Sequence, residues 1–340
     1  MNLRHGLIAL LSGFAPLLAA TPQRIVTIPI PAASMITALD AGPQRLVGIH
    51  PGALPGIRDR FLGQRFPALL TLRTDIVAGG RFTPNIETLL TLRPDLVLQW
   101  THLPTASLHT LERAGLRTLG MRYGSQADLE AALTAIGAAT GTEARTGALL
   151  RHQRNTRRAL AGPSGPRPRV VYLRSLAHGL KAGGNGSYMT HVIELAGGVN
   201  LATAVNGSMA DVTFEQLLGW APDILLLGGF DDNVPARLYA DPKWRAVKAV
   251  RERRVYKMPL GGIWWEVPSH ESALGWIWLH ALLNHSPASA ARLLADMRSQ
   301  YRLLYRHTLT RDEIDRILHR NANAGSAGYT LFGEAANVGQ

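Results

Sequence analysis

The sequence predicts an α/β protein of two lobes joined by one long rigid helix, with a ligand cleft between them. Three observations carry this. The chain has 340 residues, too many for one ordinary core and about right for two lobes. A short pattern is written twice. "ETLLTLRPDLVL" from Glu87 and "EQLLGWAPDILL" from Glu215 share Glu, Leu-Leu and Pro-Asp in one register, 215 − 87 = 128 residues apart. Between them lies "TEARTGALLRHQRNTRRALA", residues 142–161, with a capping Thr, no Pro and one Gly. As a single helix it would run about 30 Å, enough to cross a small domain.

Taken in order, "RIVTIPI" (24–30) is a β-branched strand closed by Pro31, and "AASMITALDAG" has helical spacing with a Gly stop. "RLVGIH" is the next strand. Residues 85–92 form a helix ended by Pro94, and "DLVLQW" is the strand that follows it. "HTLERAG" and "LRTLGM" repeat the alternation. After the long helix and a "GPSGPRPR" breaker, the second half replays the first. It runs through strand "RVVYLRS", Gly-rich "GGNGSYM", helix "THVIELAGG", helix "FEQLLGWA", strand "DILLLGG", and "WRAVKAVRERRVYKMP" as helix into strand. Crossover helices between successive strands imply parallel sheets, so each lobe is Rossmann-like. The expected boundaries are a signal peptide over 1–20, an N-terminal lobe over 21–141, the bridging helix over 142–161, a C-terminal lobe over 162–320 and a flexible tail over 321–340.

Composition narrows the function. The apolar fraction of 46% is that of a globular chain, and charged residues are only 18%. Arg4 and His5 precede an apolar run from Gly6 to Ala19, too short and too broken by Pro and Gly to span a bilayer, which reads as a secretory signal. There is no cysteine. That excludes disulfides, thiolate metal sites, a cysteine nucleophile and a lipid-modified N-terminal cysteine, so a soluble periplasmic product without a lipid anchor is expected. Formal charge is +12, but the basic residues are scattered and no nucleic-acid-binding motif accompanies "RHQRNTRR" (151–158). A basic cleft for an anionic ligand is the more useful reading.

The stretches "QRIVTIPIPAASMITALDAGPQRLVGIH", "NIETLLTLRPDLVLQW", "YMTHVIELAGGVNLA", "TFEQLLGWAPDILLLGG" and "RRVYKMP" together resemble the substrate-binding proteins of ABC importers that capture iron–siderophore complexes, haem, cobalamin and related metal compounds. The resemblance covers about residues 23–320. It implies the bridged two-lobe fold and a protein with no enzymatic activity and no cofactor. It also implies that Glu87 and Glu215 project from the lobe exteriors to meet arginines of the membrane permease and its ATPase complex. Each Glu also suits a helix N-terminus, where the macrodipole favours an acid. Charge pairs at a rim set orientation and encounter rate more than affinity. A monomer is expected.

Ligand groups should come from loops at the carboxyl ends of strands. That selects Arg81, Trp100 and His102 in the first lobe, and Arg174, Tyr188, Met209, Trp264, Trp265, Glu266 and His270 in the second. Trp100 and the Trp264–Glu266 stretch match cleft-lining positions of the family. Aromatic walls suit bulky chelates, and arginines suit carboxylates or catecholates. Trp100 and Trp264 are expected to face each other. Each residue has a plainer alternative. Trp265 could be core, Arg174 could cap a strand end, and "GGNGSY" lacks the Gly-Lys-Ser/Thr of a phosphate cradle and reads as a tight turn. His102, His178 and His270 are candidate metal ligands among twelve histidines. The expected ligand is an iron–siderophore-type chelate. The alternatives are cobalamin, haem or an oxyanion such as molybdate, and then a bare divalent metal. An exported enzyme is disfavoured by the lack of Gly-x-Ser-x-Gly or His-Glu-x-x-His.

Overall fold

The computed structural model describes residues 20–79, 81–103, 106–160, 167–175, 179–230 and 232–333. The signal segment therefore lies outside the described residues, apart from residue 20. No helix among the described residues is long and apolar enough to cross a membrane.

The first sheet has four parallel strands in the order Leu46–Ile49, Ile25–Thr27, Leu96–Trp100, Thr118–Met121. The second has Ala210–Val212, Leu180–Ala182, Arg169–Ser175, Ile224–Leu227 and Val255–Lys257 in that order, with Val199–Asn200 beside the start of Arg169–Ser175. It departs from the all-parallel expectation, because Leu180–Ala182 runs antiparallel to both its neighbours. Only residues 176–179 separate it from Arg169–Ser175. A connection that short permits an antiparallel return and no crossover.

Side-chain alternation along the strands builds three cores. Ile25, Leu96, Leu98, Trp100, Val170, Tyr172, Ile224 and Leu226 point to one side and join a single cluster that spans both lobes. The alternate residues Val26 and Val97 pack on the outer face of the first sheet, and Val171, Leu173, Leu225 and Leu227 on that of the second. Both faces of each sheet are thus covered, as parallel strands require.

The repeated sequence pattern is a repeated structure. In the first lobe Asn85 caps the helix Ile86–Leu92 at Thr88, and Arg93 turns it off in the left-handed region at φ 47°. Asp95 then accepts the backbone N–H groups of Gln23 and Arg24 at 2.7 and 2.9 Å, while the Arg24 guanidinium donates to Leu92 O at 2.7 Å. In the second lobe Thr213 caps Phe214–Trp220 in a reciprocal box with Gln216, and Ala221 ends it at φ 44°. Asp223 accepts Arg169 N–H at 2.9 Å, and the Arg169 guanidinium donates to Trp220 O at 2.6 Å. In each lobe the acid of Pro-Asp ties a helix–strand unit to the start of the neighbouring strand.

The long connecting helix is Glu143–Leu160. It buries Thr146, Leu149, Leu150, Gln153, Thr156 and Leu160, a stripe at helical spacing. Two further helices, Ser272–Leu283 and Pro287–Tyr305, are almost wholly interior on their packed faces. The expected flexible tail is corrected over 321–333. Asn323, Ser326, Tyr329 and Phe332 are buried there, and Asn323 exchanges hydrogen bonds with the Lys257 backbone. Residues 334–340 lie outside the described residues.

Candidate functional site

The first wall of the interlobe cleft grows from the carboxyl ends of Leu96–Trp100 and Thr118–Met121. Trp100 is 6% exposed. Its ring meets those of Phe82, His102 and Tyr123 at 6.1, 5.1 and 5.4 Å, and Phe82 continues to His50 at 4.8 Å. Gln99 fixes this cluster by donating its amide to Phe82 O at 3.0 Å. Tyr123 spans the lobes, donating to Pro268 O at 2.9 Å, and its burial raises the phenol well above its ordinary range. Arg81 and His102 are exposed.

The second wall follows Ile224–Leu227 and Val255–Lys257. Phe230 stacks on Trp264 with centroids 4.6 Å apart and planes 16° from parallel, and the Arg174 guanidinium lies 4.2 Å from the Phe230 centroid. The Trp264 indole N–H donates to Gly229 O at 3.3 Å. Trp264 also reaches the first lobe. A Cβ on Gly56 would sit 2.6 Å from its ring, so that position must be glycine for the indole to lie where it does. Trp264, Ile263, Ile30 and Ala53 line a small space of about 10 Å³, room for a single water at most.

Glu266 lies beside this stack. Its Oε1 accepts Gly229 N–H at 2.5 Å, and Oε2 is buried without a protein donor. Burial pushes the carboxyl up to about 7, against the N–H groups of Gly229 and of Glu266 itself and the positive charges of Lys257 and Arg174.

The structure brings Trp100, His102, Arg174, Trp264 and Glu266 to the strand ends that meet between the lobes. Arg81 sits in the loop next to Phe82, and Met209 is half-buried against the shared core. Three candidates are corrected to interior residues. Tyr188 spends its hydroxyl on Gln126 and Ser272 at 3.3 and 3.0 Å and accepts the Trp276 indole at 3.0 Å. Trp265 is 1% exposed and donates to Glu271 at 2.8 Å. His270, also 1% exposed, pairs with the Tyr305 hydroxyl at 2.7 Å. His178 lies outside the described residues. Trp100 and Trp264 make no ring contact with each other; Trp100 meets Phe82, His102 and Tyr123, and Trp264 meets Phe230.

The Gly-rich turn is structural. The N–H groups of Gly183, Asn185, Gly186 and Ser187 go to Tyr172, Val205, Gly207 and Gly184 carbonyls, so these donors are spent on the turn itself. Sequence reasoning missed Tyr123 and Gln99, although Tyr123 follows a strand end by the same rule that selected Trp100. Among the described residues no group of three His, Asp or Glu is gathered to hold a metal ion. Away from the cleft, Glu87 and Glu215 stand exposed in the first turns of the two repeated helices.

Residues 62–260 match the family model described as periplasmic binding protein. The chain belongs to that family. It is a family of binding proteins rather than enzymes, with the two-lobe α/β fold found here. A cobalamin-binding protein of Halobacterium salinarum is 31% identical over 227 residues, 62% of this chain and 60% of its own length. The chain thus spans less than two thirds of that relative. A periplasmic solute binding protein from Veillonella parvula superposes with a TM-score of 0.80 at 29% identity, covering 89% of this chain and 94% of that one. The molybdate-binding protein MolA of Haemophilus influenzae superposes at 0.73 with 21% identity over 85% and 94%, a likeness of fold alone.

Proposed function

We propose that this periplasmic binding protein is the solute-capturing component of an ABC importer and that its cleft takes a metal chelate with a flat conjugated face, of corrinoid type. One observation carries the reading. Aromatic clusters stand on both walls, with His50, Phe82, Trp100 and Tyr123 on one and Phe230 and Trp264 on the other. Stacked faces favour a planar, polarisable ligand. The cobalamin-binding relative supports the same class. Exposed Glu87 and Glu215 would then meet the permease, one contact per lobe, and an exported product would do this from the periplasm.

A second reading, a ferric siderophore, draws on Arg81 and Arg174, whose guanidinium forks suit carboxylate or catecholate oxygens. Titrating the purified protein with cyanocobalamin by tryptophan fluorescence tests the first reading. Saturable binding, weakened about tenfold by Phe230→Ala, is expected, since stacking of this size is worth roughly 1–1.5 kcal/mol. Binding of ferric tricatecholate with no response to cyanocobalamin would favour the second reading.

A further inference from the structure

Among the described residues, two polar groups of the cleft walls are left incomplete, His50 Nε2 and Glu266 Oε2, and Glu266 is the one that is a carboxyl. Its side chain is 4% exposed, Oε1 is committed to Gly229 N–H, and Oε2 meets neither solvent nor a protein donor. Buried carboxyl oxygens without a partner are strongly disfavoured, and those that persist call for an explanation. The surroundings point to a ligand-facing role. A Cβ on Gly229 would lie 2.6 Å from Trp264 Cδ1 and 3.3 Å from Glu266 Oε1, so the carboxyl and the stacked indole share one backbone position. Phe230, the other ring of that stack, is 39% exposed.

The charge state of Oε2 decides what it accepts. The groups interacting with it are Lys257, whose ammonium donates to Gly228 O at 2.6 Å, Arg174 from the strand Arg169–Ser175 and Tyr123 from the first lobe. Burial outweighs the two cations and brings the carboxyl's titration close to neutrality. Ionised, Oε2 is purely an acceptor. Protonated, with Oε1 already held by Gly229 N–H, the acid carries its proton on Oε2 and becomes a donor.

We propose that Glu266 is a specificity-determining residue of the cleft. Its Oε2 takes an amide or hydroxyl donor of the ligand when ionised, and disfavours ligands that present an anionic oxygen at that place. The proposal rests on the cleft being the ligand site. Glu266→Gln is its natural probe. Gly229 N–H still requires an acceptor, so the amide oxygen turns to it and the NH₂ group occupies the position of Oε2. The variant is a permanent copy of the protonated state in hydrogen-bonding sense.

Wild type and Glu266→Gln are titrated with cyanocobalamin, which bears neutral amides, and with an anionic ferric tricatecholate, each at pH 6.0 and pH 8.5. In wild type the preference for cyanocobalamin over the tricatecholate should rise about tenfold at the higher pH, the worth of one charge-assisted hydrogen bond. Glu266→Gln should favour the anionic probe and show no such rise. The histidines of the cleft walls are the same in both proteins, so their contribution cancels in the comparison. An equal pH response in both proteins, or none in wild type, overturns the proposal, and the wild-type measurement stands even if the variant fails to fold. If cyanocobalamin does not bind but the tricatecholate tightens at pH 6.0 in wild type alone, the corrinoid reading falls and the role of Glu266 survives. Binding of neither probe overturns both.

Discussion

His270 shows how far a residue's role can be from its local look. "PSHES" reads as a polar loop, and a histidine there invites a ligand role. Its place is instead decided by Tyr301 and Tyr305, thirty residues on, which roof the loop together with Phe61. Glu271 beneath them accepts from Gly262 N–H, the Trp265 indole and the Tyr305 hydroxyl. Nothing in the neighbouring residues announces that roof. Trp265 and Tyr188 were misplaced for the same reason, whereas Trp100 and Trp264 were legible because strand-end position is a local property. Burial lowers the His270 imidazole to about 3. The unfolded chain takes its proton near 6.5 while the folded one refuses it, so stability is whole above pH 6.5 and is lost as pH falls toward 3. By pH 5 this loss is about 2 kcal/mol. Glu266 acts with opposite sign, since its raised value removes stability as pH climbs from 4.5 to about 7. Urea unfolding at pH 7 and pH 5 should show His270→Gln less stable than wild type at pH 7 but with a flatter acid slope. An unchanged slope would place the acid sensitivity elsewhere.

At the scale of elements, the repeated helix–turn–strand units were readable because capping, the left-handed stop and the Pro-Asp turn are written within a dozen residues. The antiparallel strands Leu180–Ala182 and Ala210–Val212 were not, since each is three residues long and carries no alternation of its own. The bridging helix was visible as an unbroken run, but not what its buried face holds. Gln153 is 1% exposed at its centre, accepts from the Gln126 amide at 3.0 Å and donates to Ser269 O at 2.9 Å. It joins the first lobe, the bridge and the loop that carries Glu266. Gln153→Ala should cost about 1–3 kcal/mol, because it strands buried polar partners, and a urea midpoint equal to wild type would contradict this. The two exposed glutamates make a separate prediction. In the docking role proposed for them, Glu87→Arg or Glu215→Arg abolishes uptake while ligand affinity stays near wild type. Paired uptake and fluorescence assays decide it, and lost binding in either variant would move that Glu into the ligand site.

For the whole molecule the deciding feature is that the lobes share one core. The single connection of Glu143–Leu160 was legible, and by itself it argues for stiffness. The larger restraint came from the carboxyl-terminal helices, whose contacts to the first lobe no local pattern reveals. Phe61 of the first lobe packs edge-on against Tyr301 and Tyr305 at 4.7 and 5.1 Å. Arg145 donates to Leu303 O, Tyr123 to Pro268 O, and Gln126 to Gln153. The main cluster draws its members from Ile25 to Phe332. Hinge closure of the kind seen where loops join two domains needs a few residues that absorb large backbone rotations. Here such a rotation would break buried ring contacts and hydrogen bonds, and packed interiors resist continuous deformation. Ligand capture should therefore move side chains at the cleft, Phe230 first because it is the exposed ring, and leave the lobes in place. Small-angle scattering of the protein with and without saturating ligand should give the same radius of gyration within error. A marked decrease on binding would mean that the shared core opens and closes, and the rigid-bridge account would fail.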